Sequence, residues 1–266
     1  MVMSVYGKDN PAWFRLAAES ILNQTLPPDE VVLVVDGPVP AELDKVIADF
    51  EKLELFRVVR LEENRGHGEA RRIGLRHCRN ELVAVMDADD LSTENRFALQ
   101  METFQKNPKL SVVGGYIDEF VDDTAHKVGR RVVPQSHGEI CAYMKKRCPM
   151  NHVTVMFRAS AVERAGGYLD WFQDEDYYLW IRMMQHGAVF ANLPEVLVNV
   201  RVGRDMYQRR GGWKYFRSEA RLQKYMWKHK VIGFPTWAVN VAQRLILQVL
   251  MPNWLRGWVF RHFARE

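Results

Sequence analysis

Residues 81–90 read ELVAVMDADD, an apolar run that ends in three carboxylates, Asp87, Asp89 and Asp90. An apolar run of this length predicts a strand that is buried on both faces. Residues 30–37, EVVLVVDG, have the same form and end at Asp36. Helical patterns separate such runs up to residue 113, and this alternation predicts a parallel sheet with helices on both faces. Ligands bind at the carboxyl ends of strands in such sheets, where these carboxylates lie.

The same reasoning assigns the other elements. Strands are predicted at residues 1–5, 30–37, 56–61, 81–90, 152–157, 188–193 and 196–202, and a strand pair or one bent strand at 110–120. Helices are predicted at residues 11–23, 41–53, 68–78, 93–106, 136–147, 175–186, 209–230 and 236–263. After residue 114 the alternation stops, and residues 115–135 are expected to be irregular or antiparallel.

Composition excludes several classes of protein. Of the 266 residues, 47% are hydrophobic and 26% are charged, as in a folded globular protein rather than a disordered one. The three cysteines have neither the number nor the spacing of a disulfide framework or a zinc site. The first residues, MVMSVYGKDN, lack the pattern of a secretory signal. We therefore expect a reducing, cytosolic compartment.

Charge is divided unevenly along the chain. Residues 201–266 contain 14 Lys and Arg against 3 Asp and Glu, whereas residues 1–200 contain 23 against 30. Five of the eight tryptophans also follow residue 200. An acidic body with a basic, Trp-rich tail points to nucleic acid or to an anionic membrane surface.

The carboxylates at 87–90 carry a chemical implication. Like charges this close raise one another's pKa unless a cation is present. A hard divalent metal, bound by one or two carboxylates and by substrate phosphates, would relieve that repulsion. The alternative is an Asp-rich turn before the next helix. A second acidic motif, QDEDY at residues 173–177, opens a predicted helix, where carboxylates also favour the helix dipole.

Several stretches together resemble family 2 glycosyltransferases of the GT-A fold. They are MSVYGKDN, VVLVVDG, NRGHGEARRIGLRHCRNELVAVMDADD, FRASAVERAGGYLDWFQDEDYYLWIRMMQHG and LPEVLVNVRVG, in the family's order. The resemblance covers roughly residues 2–205 and is closest to bacterial enzymes that build exopolysaccharide, O-antigen or lipooligosaccharide units. It implies a GT-A, Rossmann-like mixed sheet that is mostly parallel and flanked by helices. It also implies an inverting transfer from a nucleotide-diphosphate sugar.

The resemblance assigns roles to the acidic residues. Asp89 matches the metal ligand for Mn²⁺ or Mg²⁺, and Asp87 is expected on the ribose or on the metal's water shell. Asp90 is expected to contact the residues or waters that bind the metal, or to bind a sugar hydroxyl. Asp176 matches the base that takes the acceptor's proton, and Glu175 is expected to orient the acceptor or the sugar. Helix capping is the alternative for the last two residues.

The donor nucleotide is expected over the first strands. Asp36 matches the family's uracil-recognising position, which favours a UDP-sugar, although Val35 replaces the first carboxylate of the usual Asp-Asp-Gly-Ser. Ser4 and Tyr6 close the first strand and are expected near the base. Arg71 matches a family arginine that reaches the base or the diphosphate. The alternatives are a turn cap for Asp36 and a solvated helix face for Arg71.

The division of the chain is expected at residue 205. Residues 1–205 would form the catalytic domain, and 206–266 a basic, Trp-rich helical extension. Arg209 and Arg210 are candidates for binding a diphosphate, with a solvated basic face as the alternative. Residues 208–213, QRRGGW, do not match the Gln-x-x-Arg-Trp of processive synthases, which favours transfer of a single sugar.

Residues 231–250 are nearly long enough to span a bilayer but contain Asn240, Arg244 and Gln248 at four-residue intervals. A single polar face predicts a helix that lies in the membrane interface rather than one that spans it. Packing on the body or on a partner subunit is the alternative. The expected enzyme is therefore cytoplasmic and peripheral at the inner face of the cytoplasmic membrane, with a lipid-linked saccharide as acceptor.

Two other functions remain open from the sequence. A polyprenyl-phosphate sugar synthase of the same fold would need no carboxylate base, so the Glu175–Asp176 motif disfavours it. A non-catalytic module that binds membrane or polyanion would use the tail charge. Aspartate clusters would repel a polyanion, so nucleic acid is not expected as a partner.

Overall fold

The computed structural model describes residues 1–203 and 211–251. The predictions for Arg209, Arg210 and residues 252–263 lie outside these residues. A three-stranded parallel sheet opens the fold, in the order β1 (Val2–Tyr6), β2 (Val31–Asp36), β3 (Phe56–Arg60). All six residues of β2 are buried, as its unbroken apolar run predicts.

Three helices connect and cover these strands. They are α1 (Pro11–Leu22), α2 (Ala41–Glu51) and α3 (His67–His77). The side chain of Asn10 caps α1 by accepting from two backbone N–H groups, and Pro11 follows as the first helical residue. Helix α3 lies close to the sheet because it presents Gly74. A Cβ there would come within 2.4 Å of Val2 and 2.9 Å of Val34.

The second sheet is mixed. Its order is β4 (Leu82–Ala84), β8 (Met156–Arg158), β6 (Val112–Phe120), β9 (Phe190–Arg201), β5 (Leu91–Ser92), and β7 (Lys127–Arg131) pairs with β6. The long pair β6–β9 is parallel, and the other pairs are antiparallel. A parallel bridge between Val2 and Val85 joins the two sheets, so the ends of β1 and β4 lie side by side.

Six more helices complete the described chain. They are α4 (Arg96–Lys106), α5 (His137–Met144), α6 (Ala159–Arg164), α7 (Glu175–Gln185), α8 (Trp213–Lys228) and α9 (Phe234–Leu245). A π-helical turn, Ile246–Leu250, extends α9. The predicted α/β fold, a mixed sheet flanked by helices with a helical C-terminal part, is confirmed.

Several sequence predictions need correction. The strand predicted at 81–90 is limited to Leu82–Ala84. The strand predicted at 152–157 begins only at Met156, because His152–Thr154 form a 3-10 turn. The two strands predicted at 188–193 and 196–202 form one strand, which continues through Pro194 with a shift of register. The helix predicted from residue 93 begins at Arg96, after the short β5.

The polar face predicted for residues 231–250 points inward, against the body of the protein. Asn240 donates hydrogen bonds to the Lys145 carbonyl (2.9 Å) and to Gln223 (2.8 Å), and Arg244 pairs with Glu219. The alternative of packing on the body therefore holds for this face. Among the described helices, none has the length and apolar character needed to cross a membrane.

Candidate active site

Asp36 organises the loop that leads into α3. Its carboxylate is 4% exposed and accepts hydrogen bonds from the backbone N–H groups of Arg65 (2.7 Å) and Gly66 (2.9 Å). Gly37, at φ +84°, lets this loop approach closely, since a Cβ there would lie 2.5 Å from the backbone nitrogen of Asn64. The turn-forming alternative is thus realised, while uracil recognition by Asp36 stays a prediction.

Arg71 joins the two acidic motifs. It projects from α3 and its side chain is 11% exposed. Its guanidinium donates to Asp87 at 2.7 Å and to Glu175 at 3.4 Å. The residues at the end of the β4 segment and at the start of α7 therefore meet at one site, although 88 positions separate them in the chain (175 − 87). The solvated alternative for Arg71 is wrong.

The ion pair between Arg71 and Asp87 affects the pKa of both side chains. Burial opposes the charged form of Arg71, but Asp87, Tyr168 and Glu175 together outweigh it and raise its pKa. Burial likewise disfavours ionised Asp87, but the neighbouring basic groups, Arg71 foremost, together outweigh burial and lower the pKa of that carboxyl. Asp87 is therefore held as a carboxylate at neutral pH.

Hydrogen bonds connect Asp89 and Asp90 to Arg201 at the end of β9. Asp90 is 2% exposed and accepts a hydrogen bond from the Arg201 backbone N–H at 2.9 Å. The Arg201 side chain donates to the Asp89 carbonyl at 3.3 Å and lies 4.7 Å from the ring centre of Trp13. Burial, with Asp89 and Asp87 nearby, raises the pKa of Asp90 well above its ordinary value. Asp89 is half-buried, so it is the more accessible of these two carboxylates.

Glu175 and Asp176 form the first turn of α7. Burial raises the pKa of both carboxyl groups, and for Glu175 the neighbouring Asp176 adds to the effect. For Asp176, the N–H of Tyr177 and the charge of Arg71 oppose the rise. The N-cap residue, Asp174, makes no capping hydrogen bond with its side chain, but the Asp176 carboxylate accepts one from the Tyr177 N–H in the first turn at 2.7 Å, so the capping alternative is realised in part for Asp176. A half-buried carboxylate of raised pKa suits a general base.

A histidine and a tyrosine lie beside these carboxylates and were not predicted as site residues. His152 Nε2 lies 2.9 Å from the hydroxyl of Tyr168, which is 1% exposed. Burial and the charge of Arg71 lower the pKa of His152 well below its ordinary value, so the ring is neutral. A lone histidine in a sequence is more often structural, and only the fold brings His152 to Arg71.

Asp9 was also missed. Burial raises its pKa to about 6, and although the Tyr6 N–H opposes the rise, Asp89 and Asp87 add to it. The sequence around it, KDN, resembles an ordinary loop before a helix cap. Its carboxyl adds to the negative charge at the ends of β1 and β4.

The carboxylates fit a divalent metal by their chemistry. Their oxygens are hard ligands, and Asp87 and Asp89 lie close enough to Asp9 to add to the rise that burial causes in its pKa, so several carboxyl groups gather at this edge. Among the residues that the structure describes, no three His, Cys, Asp or Glu side chains form a complete metal cage.

The remaining candidates lie at the end of β1. Ser4 and Tyr6 are half-buried there, paired in register with Val34 and Asp36 of β2. The Tyr6 ring lies 5.9 Å from the ring of His67, the first residue of α3. Ser4, Tyr6, Asp36, Arg71 and Asp87 thus border one edge of the joined sheets, as predicted for carboxyl ends.

Comparison with known proteins decides the family. Residues 1–164, more than half of the chain, match the family model described as glycosyl transferase family 2. The chain belongs to glycosyl transferase family 2. As a family 2 glycosyltransferase, it shares the GT-A fold with a solved mannosyltransferase from Pyrobaculum calidifontis in complex with GDP-Man and Mn²⁺. That alignment has a TM-score of 0.63 and 17% identity, and covers 96% of this chain and 71% of the other.

Two bacterial relatives are similar over most of their length. One is the UDP-Gal:alpha-D-GlcNAc-diphosphoundecaprenol beta-1,3-galactosyltransferase of Escherichia coli, 32% identical over 100% of this chain and 96% of that protein. The other is the amylovoran biosynthesis glycosyltransferase AmsE of Erwinia amylovora, 37% identical over 88% of this chain and 87% of that protein. The family 2 chain is thus similar to glycosyltransferases of bacterial polysaccharide biosynthesis.

Proposed function

We propose that this family 2 enzyme is an inverting glycosyltransferase that moves one sugar from a UDP-sugar to a lipid-linked glycan acceptor in bacterial surface polysaccharide biosynthesis. The observation that carries the proposal is Arg71, which joins Asp87 on the donor side to Glu175 on the acceptor side. The E. coli relative, whose name specifies UDP-Gal and a diphosphoundecaprenol-linked sugar, supports both substrate classes.

The donor would lie over the ends of β1 and β4. Ser4, Tyr6 and Asp36 border the place for the uridine, and Asp89, with Asp87 behind it, would hold Mn²⁺ or Mg²⁺. The Mn²⁺ in the mannosyltransferase complex supports this assignment. When bound, the metal supplies positive charge against the diphosphate leaving group. Arg71 keeps Asp87 ionised, and Asp90 fixes the loop through Arg201. Arg209 and Arg210 remain candidate contacts for a diphosphate.

The acceptor would lie against the start of α7. Asp176 takes the proton of the acceptor hydroxyl as its oxygen attacks the anomeric carbon from the side opposite the diphosphate. The new carbon–oxygen bond forms as the bond to the diphosphate breaks, and that electron pair leaves with UDP. Glu175, held by Arg71, orients the acceptor. This displacement inverts the anomeric configuration and needs no second carboxylate.

The location follows from the acceptor. A sugar on a polyprenyl diphosphate stays at the membrane surface, so we place the enzyme in the cytoplasm, peripheral at the inner face of the cytoplasmic membrane. The net positive charge of residues 201–266 supports contact with an anionic surface.

A transfer assay tests the reaction. The purified chain is incubated with Mn²⁺, a set of UDP-hexoses and UDP-N-acetylhexosamines, and either a GlcNAc-diphospho-lipid or a polyprenyl phosphate. We expect a disaccharide on the first acceptor, with inverted anomeric configuration by NMR coupling constants. Transfer only to polyprenyl phosphate would instead establish the sugar synthase, and a retained configuration would exclude the single displacement.

A further inference from the structure

The outward face of α9 and its π-helical turn is apolar. Phe234, Val239, Ile246 and Leu250 are 55%, 54%, 52% and 66% exposed. Within residues 231–251, the only charged residue is Arg244, which is turned inward against Glu219. The helix and its turn bury Asn240, Arg244 and Gln248 and expose large apolar residues, with Gln243 as the exposed polar side chain, which reverses the usual arrangement of a surface helix.

Two tryptophans extend this face. Trp227 is 38% exposed and packs against Phe234, with ring centres 5.6 Å apart. Trp213 is 58% exposed and follows Gly212, whose N–H donates to the Gln248 carbonyl in the π-helical turn. We call the four apolar residues of α9 and its turn, with Trp213 and Trp227, the apolar face. Amphipathic aromatic rings of this kind lie at the headgroup level of membranes.

The segment that carries the apolar face is basic, although two of its cations lie over aromatic rings of the preceding loop, Lys214 over Phe172 and Arg221 over Trp171. Residues 211–251 contain seven Lys and Arg and one acidic residue, Glu219. Apart from the inward Arg244, the basic residues are all exposed: Lys214, Arg217, Arg221, Lys224, Lys228 and Lys230. Lys145 and Lys146, whose carbonyls bind Asn240 and Arg244, add two more exposed charges under α9.

The positive charge of this region indicates what kind of partner binds the apolar face. A second copy of this chain would bring the same positive charge against itself, and like-charge contact disfavours association. Residues 252–266 carry three arginines and one glutamate, so they have the same sign. An anionic bilayer complements both the apolar face and the cations around it.

We propose that the apolar face is a docking surface for an anionic membrane. The inference rests on the proposed function, because a lipid-linked acceptor would arrive at that surface. Helix α7, which begins with Glu175 and Asp176, is joined to the segment beneath α9, since the Tyr177 hydroxyl donates to the Met144 carbonyl at 2.5 Å and the carbonyl of the next residue, Lys145, accepts from Asn240.

Vesicle binding of the full chain tests the proposal. We compare the wild type with Ile246→Glu/Leu250→Glu, using vesicles of phosphatidylglycerol and phosphatidylcholine and vesicles of phosphatidylcholine alone. Leu53→Glu is the matched control, since Leu53 is 41% exposed at the end of α2. We expect the wild type and the control to bind anionic vesicles, and the double variant to bind them roughly a hundredfold more weakly because two aliphatic side chains no longer enter the interface.

The other outcomes overturn the proposal. Equal binding by the double variant would exclude this face, and so would wild-type binding that does not depend on anionic lipid. A wild-type dimer that the double variant dissociates, with no vesicle binding, would assign the face to a second copy. If circular dichroism shows that the double variant is misfolded, Ile246→Ser/Leu250→Ser replaces it under the same criteria.

Transfer to a water-soluble acceptor separates this proposal from the proposed function. The double variant should retain wild-type transfer to that acceptor, since neither residue lies in the catalytic site. Loss of vesicle binding with transfer intact supports the docking surface. Vesicle binding without transfer by the wild type would overturn the proposed reaction, and with it the reason given for docking.

Discussion

Two arginines of equal exposure, Arg71 and Arg244, serve different regions of the molecule. Each side chain is 11% exposed and faces carboxylates. Arg244 forms an ion pair with one carboxylate, Glu219, and its other donors reach the carbonyls of Lys146 and Asn240, while the buried Asp174 also lies close enough to feel its charge. Around Arg71 the carboxylates outnumber the cation, since Asp87 and Glu175 bind it and Asp176 lies close enough to feel its charge.

This difference distinguishes buried charges that stabilise the fold from buried charges that serve the reaction. The balanced pair of Arg244 and Glu219, one cation and one carboxylate, joins α9 to α8. The active site keeps an excess of negative charge, which burial makes costly. Carboxylates with perturbed pKa values in a cleft are candidates for binding a cation or for transferring a proton, and an excess of negative charge suits both roles.

The largest expected effect is loss of the base. Asp176→Asn should lower the turnover of the transfer reaction by roughly 10²–10⁴-fold, because an amide cannot accept the hydroxyl proton. Turnover with saturating UDP-sugar measures it. Asp170→Asn, a change at an exposed position in the preceding loop, is the control and should leave turnover unchanged. Wild-type turnover in the Asp176 variant would remove the assignment.

The balanced pair should affect stability instead. Arg244→Met leaves Glu219 buried without its partner, which typically lowers the free energy of unfolding by about 3–5 kcal/mol. Urea unfolding measures the change, with exposed Arg217→Met as the control. Adding Glu219→Met should recover much of the loss, since an apolar pair carries no buried charge. Full stability in the single variant would show that the pair is dispensable.

The unbalanced arginine should affect activity more than folding. Arg71→Met removes charged hydrogen bonds from Asp87 and Glu175, and we expect kcat/KM to fall by about 10–100-fold. The unfolding free energy should change less than in Arg244→Met, because the loss of a cation is partly offset by a readily protonated Glu175. Arg76→Met, exposed on the same helix, is the control. If Arg71→Met lowered the free energy of unfolding more than Arg244→Met does, the proposed difference between the two arginines would be wrong.

The smallest effect concerns pH. Burial raises the pKa of Asp176, and only its ionised form accepts a proton. Activity should therefore fall about tenfold per unit as pH drops below that raised pKa. The sign for stability is opposite: the folded state holds this proton more tightly than the unfolded chain, so the stability it contributes is lost as pH rises through the folded pKa. A rate that is flat down to the ordinary aspartate pKa would contradict the burial effect.

Local patterns predicted most of the first half of the fold. The apolar runs before Asp36 and Asp87 specified the buried strands, and their carboxyl ends predicted where charged residues would meet. Short elements were missed because β5 has two residues and α6 has six, too few for a period to emerge. The polar stripe of α9 was recognised, but its direction depends on Gln223, Glu219 and the carbonyls of Lys145 and Lys146, which are distant in sequence.

The sequence analysis named the acidic residues of the candidate site but did not name the residues that lie beside them. Motif resemblance identified Asp89, Glu175 and Asp176, whose roles as ligand, orienting group and base stay predictions. No local signal marks His152 or Asp9, because each becomes notable only when the fold brings it to Arg71 or to Asp89. Arg71 was expected to contact the donor, and its ion pairs with both motifs emerge only from the packing of α3 against α7.

One calorimetric measurement tests the division of roles between the two acidic motifs. UDP is titrated into wild type, Asp89→Asn and Asp176→Asn, each with and without Mn²⁺. If Asp89 holds the metal and Asp176 is the base, Mn²⁺ will strengthen UDP binding in the wild type and in Asp176→Asn, but not in Asp89→Asn. Metal-dependent binding that survives in Asp89→Asn, or that is lost in Asp176→Asn, would contradict the account.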